Sequence, residues 1–384
     1  MDRFDVAIVG AGPAGCRAAW RLARAGSRVA LFDGSHPREK PCGGGVTGRT
    51  LDLVRDAIDI DSLPAVAIDD VTFEQGSRRA RVELRGGHER TPQLTVASRT
   101  TFDGALLSAA IDAGATLHSD RVTNISPARD GWTISIGDTI ARATWLLGAD
   151  GPNSLVRRRL GQPFARADLS IATGFFVHGV RSRNVAIAFE DDPPGYLWSF
   201  PRLDHLAVGV CAQADVSGSE ALRAAASDWI TRNVNGSFRL ERYSWPIPSL
   251  RASTLEREHP HGPRWMLLGD AGGMVDPITR EGIFFALLSG EAAADSLLEG
   301  GDPAARYGER IRAFIYEELI RAARLKARFF NPRFTSLLLR ALQESASIRA
   351  IMTDLVAGQQ SYHGLRRRLL GTLQVRLFVE MMKR

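Results

Sequence analysis

Residues 4–15, Phe4-Asp5-Val6-Ala7-Ile8-Val9-Gly10-Ala11-Gly12-Pro13-Ala14-Gly15, decide the fold of this 384-residue chain. The apolar run predicts a buried parallel strand, and the glycines after it predict a tight turn into a helix. Gly10 permits the turn, Gly12 lets a pyrophosphate approach the backbone, and Gly15 lets helix and strand pack closely. A second apolar run ends at Asp33, where a carboxylate can accept a hydrogen bond from an adenosine ribose. The pattern predicts a dinucleotide-binding βαβ unit; the alternative is the same unit with nothing bound.

Two later stretches repeat the pattern of an apolar strand that ends in a glycine turn. Residues 139–147 lead to Asp150-Gly151 and then to a helix capped by Ser154. Residues 265–268 lead to Gly269-Asp270, and a long helix is predicted from Ile283 to Leu298. Three such stretches, far apart in the sequence, predict one discontinuous cofactor domain.

The loop of residues 34–46 carries two prolines and four glycines, which exclude regular secondary structure. Its triplet Gly43-Gly44-Gly45 predicts a backbone held close to a flat ligand. A flexible connector is the alternative interpretation. Strand-like alternation covers residues 68–89 and most of 164–260, with a helix predicted over residues 219–233.

Composition and charge restrict the class of protein. Three widely spaced cysteines indicate neither a disulfide framework nor a zinc site, and no apolar run is long enough for a membrane span. We therefore expect a cytoplasmic protein without a metal site. From Arg306 onward, 16 basic residues face 6 acidic ones, a local charge of +10, so the rest of the chain is near −4. This basic, leucine-rich helical region, with breaks predicted near Asn331-Pro332 and Gly364, is typical of a solvated helical face or of peripheral contact with an anionic lipid or diphosphate. No nucleic-acid-binding fold accompanies the charge.

Together these motifs resemble the flavoproteins of para-hydroxybenzoate-hydroxylase fold, over nearly the whole chain to about residue 300. The resemblance assigns an FAD site and implies the following cofactor residues: Gly10, Gly12, Pro13, Ala14, Gly15, Asp33, Cys42, Gly43, Gly44, Arg99, Asp150, Gly151, Gly269, Asp270, Gly282 and Ile283. The expected fold class is α/β. It comprises a discontinuous Rossmann-like FAD domain (1–60, 97–163, 262–303), an antiparallel-sheet substrate domain (61–96, 164–261) and a helical C-terminal region (304–384).

Within this fold, two stretches resemble the geranylgeranyl reductases in particular. Residues 40–45, Lys-Pro-Cys-Gly-Gly-Gly, are similar to one loop of that family, and residues 194–201 with Gly209 are similar to its aromatic strand motif. Two positions depart from the family pattern, because Arg280 and Cys211 stand where glycines are usual. Residues 276–279 with Glu281-Gly282 resemble the flavin-facing loop of that family, so Arg280 either stabilises anionic reduced flavin or points to solvent.

Alternation along a strand places Tyr196, Trp198 and Phe200 on one face. They predict an apolar wall for a polyprenyl chain, with ordinary inter-domain core as the alternative. With Gly209 they form the predicted substrate set.

The resemblance implies reduction of isolated carbon–carbon double bonds by hydride from reduced flavin. Cys42 is the predicted catalytic residue, close to flavin and substrate; a small packed residue in a turn is the alternative. No second dinucleotide fingerprint is present, so NADPH binds transiently or another reductant, such as an electron-donor protein, serves. A monooxygenase or halogenase on the same fold, or a non-catalytic redox-sensing flavoprotein, are the competing hypotheses.

Overall fold

A computed structural model describes residues 3–84 and 92–371. Residues 85–91 and 372–384, which include part of the predicted strand segment near Glu89 and the end of the basic region, lie outside the described residues. The strands are β1 (Arg3–Val9), β2 (Val29–Phe32), β3 (Gly45–Thr47), β4 (Ala65–Ala67), β5 (Asp70–Gln75), β6 (Arg78–Glu83), β7 (Leu94–Ala97), β8 (Thr116–His118), β9 (Val122–Ala128), β10 (Gly131–Ile136), β11 (Thr139–Gly148), β12 (Leu169–His178), β13 (Val185–Asp191), β14 (Pro194–Pro201), β15 (His205–Gln213), β16 (Arg239–Pro248), β17 (His261–Gly262) and β18 (Trp265–Leu267). The α-helices are α1 (Pro13–Arg24), α2 (Gly48–Val54), α3 (Arg99–Asp112), α4 (Leu155–Leu160), α5 (Ser219–Asn233), α6 (Ala252–Arg257), α7 (Ile283–Leu298), α8 (Pro303–Ile311), α9 (Glu317–Phe329), α10 (Pro332–Glu344), α11 (Ala346–Val356) and α12 (Tyr362–Leu370).

The first sheet is built around β1, which lies between β11 and β2 and pairs in parallel with both. β18 continues the parallel order beyond β11. Ala7 and Ile8 of β1 have no exposed surface, as expected for a strand covered on both faces. α1 packs against α3 and α7. This is the predicted Rossmann-like arrangement.

The second sheet has the order β16-β12-β15-β14-β13-β5-β6, and its pairs are antiparallel except β13 with β5. Leu197 of β14 packs in one cluster with Leu222 and Ala226 of α5. The neighbouring aromatic side chains of β14 belong to a different cluster. β14 therefore presents Leu197 to α5 on one face and its aromatic side chains to a second apolar region on the other face, as the predicted alternation requires. A small third sheet has the order β3-β7-β4.

The C-terminal region is helical through Leu370, and the predicted break near Asn331-Pro332 lies between α9 and α10. The helical region also breaks near Gly364, as predicted, but the break precedes that glycine, because α11 ends at Val356 and Gly364 lies inside α12. Gly358, after the end of α11, has φ +73°, and the chain turns there instead. A glycine keeps its amide donor and is tolerated within a helix, whereas a left-handed φ favours glycine directly.

The predicted fold class is confirmed, while the domain boundaries stay predictions. Among the described residues, no helix combines the length and apolar character that crossing a membrane requires.

Candidate active site

The predicted cofactor loops meet at one edge of the parallel sheet. Val9 of β1 is level with Gly148 of β11, which is level with Leu267 of β18, so the loops that follow these strands lie side by side. They border a cavity of about 760 Å³. Ten of the predicted cofactor residues line this cavity: Gly12, Pro13, Ala14, Cys42, Arg99, Gly151, Gly269, Asp270, Gly282 and Ile283.

Gly10 makes the turn from β1 to α1, with φ +104°. A Cβ there would lie 2.3 Å from the carbonyl oxygen of Ala149. Only glycine fits this contact and this φ without strain. The first glycine turn is therefore pressed directly against the loop that carries Asp150.

Asp33 directly follows β2, and its carboxylate is held largely by its own loop. Oδ2 accepts from the backbone N–H of Ala11 at 2.8 Å and lies 2.7 Å from Nδ1 of His36. Oδ1 accepts from the backbone N–H of Ser35 at 2.8 Å. Although burial opposes it, the contact with His36 lowers the pKa of Asp33, so the carboxylate is ionised. Its contact with a ribose stays a prediction.

The two carboxylate oxygens of Asp150 differ in their hydrogen bonding. Oδ2 accepts from the backbone N–H of Leu155 at 2.6 Å and of Val156 at 3.3 Å. Oδ1 is buried and has no partner among the described residues. Burial raises the pKa of this carboxyl. A buried oxygen without a partner is costly, so Oδ1 needs a donor such as a ligand hydroxyl.

Charged residues, among them Lys40, Arg99 and Asp270, line the cofactor cavity. Arg99 is buried and donates to Asp103 through Nε and Nη2, at 2.9 and 2.7 Å. Burial raises the pKa of Asp270, and Lys40 and Arg99 oppose that rise. Burial also lowers the pKa of Lys40. Lys40 was not among the predicted site residues, although it lies in the predicted loop of residues 34–46 and begins the family-like stretch of residues 40–45.

These residues fit FAD. The open oxygen of Asp150, the glycine turns and the cations suit a ligand with hydroxyls and a pyrophosphate. When bound, FAD supplies two-electron chemistry at its flavin ring.

A second cavity, of about 1260 Å³, adjoins the first. Its walls are mainly apolar and include side chains of the second sheet and of the C-terminal helices. The helices contribute Phe329 of α9 and Met352, Leu355 and Val356 of α11. Sequence analysis missed these four residues, because their apolar periodicity is that of any packed helix.

Tyr196, Trp198 and Phe200 line the apolar cavity together, as predicted. Gly209 lies opposite Trp198 in the sheet, and a Cβ there would meet the Trp198 ring at 2.3 Å and the Tyr243 hydroxyl at 2.4 Å. Gly209 is therefore not a wall residue itself; it leaves the space in which Trp198 lies.

The two cavities share one set of lining residues, which we call the junction: Pro41, Cys42, Ile247, Arg280, Gly282 and Ile283. The predicted catalytic residue Cys42 therefore lies where the two cavities meet. Its sulfur accepts from the backbone N–H of Gly44 at 3.3 Å.

Arg202 fixes the loop that carries Cys42. It is buried, donates to the carbonyl oxygen of Cys42 at 2.9 Å and to that of Ala97, and pairs with Glu39 at 3.2 Å. A Cβ at Gly44 would collide with its guanidinium. Sequence analysis missed Arg202, although it directly follows the aromatic motif.

The two positions that depart from the family pattern differ in character. Cys211 is fully buried in the apolar cluster and lies opposite Tyr196 in the sheet. Arg280 lines both cavities and has φ +60°. Its side chain does not point to solvent, because Nε and Nη1 are buried.

Comparison with known proteins agrees with this site. Residues 3–212 match the family model of the FAD binding domain. The chain is 31% identical over 327 residues to the menaquinone reductase of Mycolicibacterium smegmatis, covering 78% of this chain and 77% of the relative. It is 29% identical over 333 residues to the geranylgeranyl diphosphate reductase of Rhodobacter capsulatus, covering 79% and 78%.

Solved structures show the same fold. A geranylgeranyl bacteriochlorophyll reductase-like protein of Thermoplasma acidophilum superposes with a TM-score of 0.79 at 22% identity, over 97% of this chain and all of that one. A flavin-dependent brominase superposes with a TM-score of 0.72 at 20% identity, over 96% and 98%. At these identities the likeness shows the fold alone. The family model and the relatives show more: the chain belongs to the geranylgeranyl reductase family of FAD-dependent oxidoreductases.

Proposed function

We propose that this oxidoreductase reduces isolated carbon–carbon double bonds in an isoprenoid chain. One observation carries the proposal: a large apolar cavity opens onto the FAD cavity at Cys42. A long hydrocarbon chain suits such walls, since each buried methylene is worth about 0.8 kcal/mol. The names of the relatives support the same chemistry, because menaquinone and geranylgeranyl diphosphate both carry prenyl chains.

The apolar walls position the chain and exclude water. Trp198 and Phe200 contribute from the sheet, and Phe329 and Met352 contribute from the helices. A dry pocket keeps a hydride from being lost to solvent protons. It also raises the cost of any unpaired charge, which favours a neutral substrate segment near the junction.

Each reduction adds a hydride and a proton across one double bond, so two electrons leave the reduced cofactor. Reduced FAD supplies the hydride. We assign the proton to the Cys42 thiol, which Arg202 and the Gly44 amide hold at the junction. The thiol gives its proton to the second alkene carbon and regains one from solvent before the next turnover.

The reductant and the partners belong to this proposal. NADPH, bound transiently, or an electron-donor protein returns two electrons to the flavin. The protein works in the cytoplasm, and its basic C-terminal region contacts anionic lipid or a diphosphate.

The test is anaerobic incubation of the dithionite-reduced holoenzyme with geranylgeranyl diphosphate and, separately, with menaquinone. We expect the product to gain about 2 mass units for each bond reduced. Per bound FAD, Cys42→Ala should lose most of this gain, and Cys42→Ser should retain more of it. The proposal fails if no prenyl compound gains mass under these conditions.

A monooxygenase or halogenase is the second candidate, favoured by the fold shared with the brominase. Such enzymes consume oxygen together with reductant and substrate. Oxygen-dependent turnover of an aromatic compound, with no anaerobic reduction of prenyl compounds, would assign this protein to that class.

A further inference from the structure

Arg280 occupies a position that its own backbone disfavours. Its φ of +60° lies in the left-handed region, where a residue with a Cβ is strained and glycine is not. The only other described non-glycine residue with positive φ is Arg264, which is exposed between β17 and β18. An arginine retained against this backbone preference at the junction needs a compensating contact.

Among the described residues, no side chain or backbone group supplies that contact to Nε or Nη1. Nε and Nη1 of Arg280 are buried and have no partner among the described residues. The neighbouring acids are engaged elsewhere: Glu281 pairs with Arg49, and Asp276 accepts from the backbone N–H of Ile278 at 2.7 Å and from the Tyr362 hydroxyl at 2.9 Å. Buried donors without acceptors are costly, and a buried guanidinium more so.

A second basic group, Lys326, and the start of a helix lie near Arg280. After burial itself, the charge of Arg280 is the main influence that lowers the pKa of Lys326, to about 7. α7 begins at Ile283, three residues after Arg280, and the positive end of this 16-residue helix faces the junction. An anionic acceptor is therefore the group that this point of the molecule lacks.

We propose that Arg280 binds the electron-rich edge of the flavin ring and stabilises it when reduction makes it negatively charged. Arg280 lines the FAD cavity together with Gly282 and Ile283, two of the predicted cofactor residues. A cation fixed there favours reduced over oxidised FAD and makes the bound cofactor easier to reduce. This inference requires FAD but not the proposed alkene reduction.

The test uses purified holoenzyme and two readouts other than turnover. The first is the affinity for sulfite, which adds to oxidised flavin and leaves negative charge on the ring. The second is the two-electron midpoint potential of the bound flavin. Arg280→Gln removes the charge and retains amide donors, whereas Arg280→Gly removes the side chain and relieves the backbone. Arg264→Gly is the matched control, because it removes an arginine at the same φ from an exposed turn.

We expect sulfite to bind at least tenfold more weakly to both Arg280 variants than to the wild type or Arg264→Gly. We also expect lower midpoint potentials; a tenfold change in the reduced-to-oxidised binding ratio corresponds to about 30 mV. Unchanged sulfite affinity and potential would overturn the proposal. If those readouts stay constant while inorganic pyrophosphate binds more weakly to Arg280→Gln, the guanidinium serves a substrate diphosphate instead, and the flavin assignment is equally overturned.

Discussion

The two cavities that meet at Cys42 are built in opposite ways. The FAD cavity is formed largely by backbone turns at the ends of parallel strands, where glycines and a few charged groups are placed by the sheet. The apolar cavity is formed by side chains from two sheets and from helices near the C-terminus. A site made from turns depends on local sequence, whereas a site made from side-chain walls depends on distant segments packing together. Substitutions should therefore separate cofactor binding from substrate binding.

The largest effect is expected where the FAD cavity depends on a backbone contact. Gly10→Val places a side chain against the Ala149 carbonyl, at a φ that valine disfavours. We expect bound FAD per protein to fall by about tenfold or more, because the turn must open. Flavin absorbance of the purified protein measures this. Gly114→Val, at φ +106° with nothing within 4 Å of its Cβ, should keep its FAD. Equal FAD loss in both variants would contradict the account.

Gly209→Ala should have the opposite effect to Gly10→Val, because it should impair the use of substrate without removing FAD. Its Cβ would overlap the Trp198 ring and push it into the apolar cavity. We expect FAD content to remain normal while kcat/KM for a prenyl substrate falls by about 100-fold, since displacement of about 1 Å can have that cost. Gly218→Ala, where nothing lies within 4 Å of the new Cβ, is the control. Loss of FAD from the Gly209 variant would show that the two cavities are not separable.

A smaller effect should reveal the contribution of the C-terminal helices. Met352→Ala removes part of the cavity wall that α11 contributes, so a bound chain packs less tightly there. We expect KM for geranylgeranyl diphosphate to rise about fourfold for each substrate methylene that becomes exposed to water, with kcat unchanged. Geranyl diphosphate is the control substrate, because a shorter chain should depend less on this wall. Thermal melting in the presence of FAD checks that the fold persists. An equal rise in KM for both chains would place Met352 away from the bound tail.

The smallest effect concerns the attachment of α9 to the sheet through Lys326. The amine donates to Ser249 at 2.7 Å and to Gln213, and burial together with Arg280 lowers its pKa to about 7. The unfolded chain keeps this proton up to its ordinary pKa near 10.5, so the free energy of unfolding should rise with pH from about 7 upward. The slope approaches about 1.4 kcal/mol per pH unit at most.

Lys326→Met should remove this slope, as measured by urea unfolding from about pH 7 to about pH 9. Arg328→Met, an exposed cation on the same helix, controls for the loss of charge and should keep the slope. Parallel pH profiles for the wild type and Lys326→Met would show that the amine is not perturbed.

The contrast between the cavities also explains what sequence analysis could predict. Gly10, Asp150 and Gly269 were found because a glycine turn after an apolar strand is a local pattern with a fixed structural meaning. The face of β14 that carries Trp198 followed from strand alternation in the same way.

No comparable local pattern marks the residues whose role depends on packing between distant segments of the chain. Met352 and Phe329 look like core residues of helices, and Arg202 looks like any arginine after a strand. The left-handed φ of Arg280 became visible only in the structure, although the usual glycine at that position was an indication.

The central claim is that an isoprenoid chain in the apolar cavity meets the reduced cofactor at the junction. The most direct test is rapid anaerobic mixing of the photoreduced holoenzyme with geranylgeranyl diphosphate, followed by flavin absorbance. We expect oxidised flavin to return in the absence of oxygen, and to return more slowly in Gly209→Ala than in Gly218→Ala. A flavin that stays reduced with every prenyl compound, and is reoxidised only when oxygen is admitted, would contradict it.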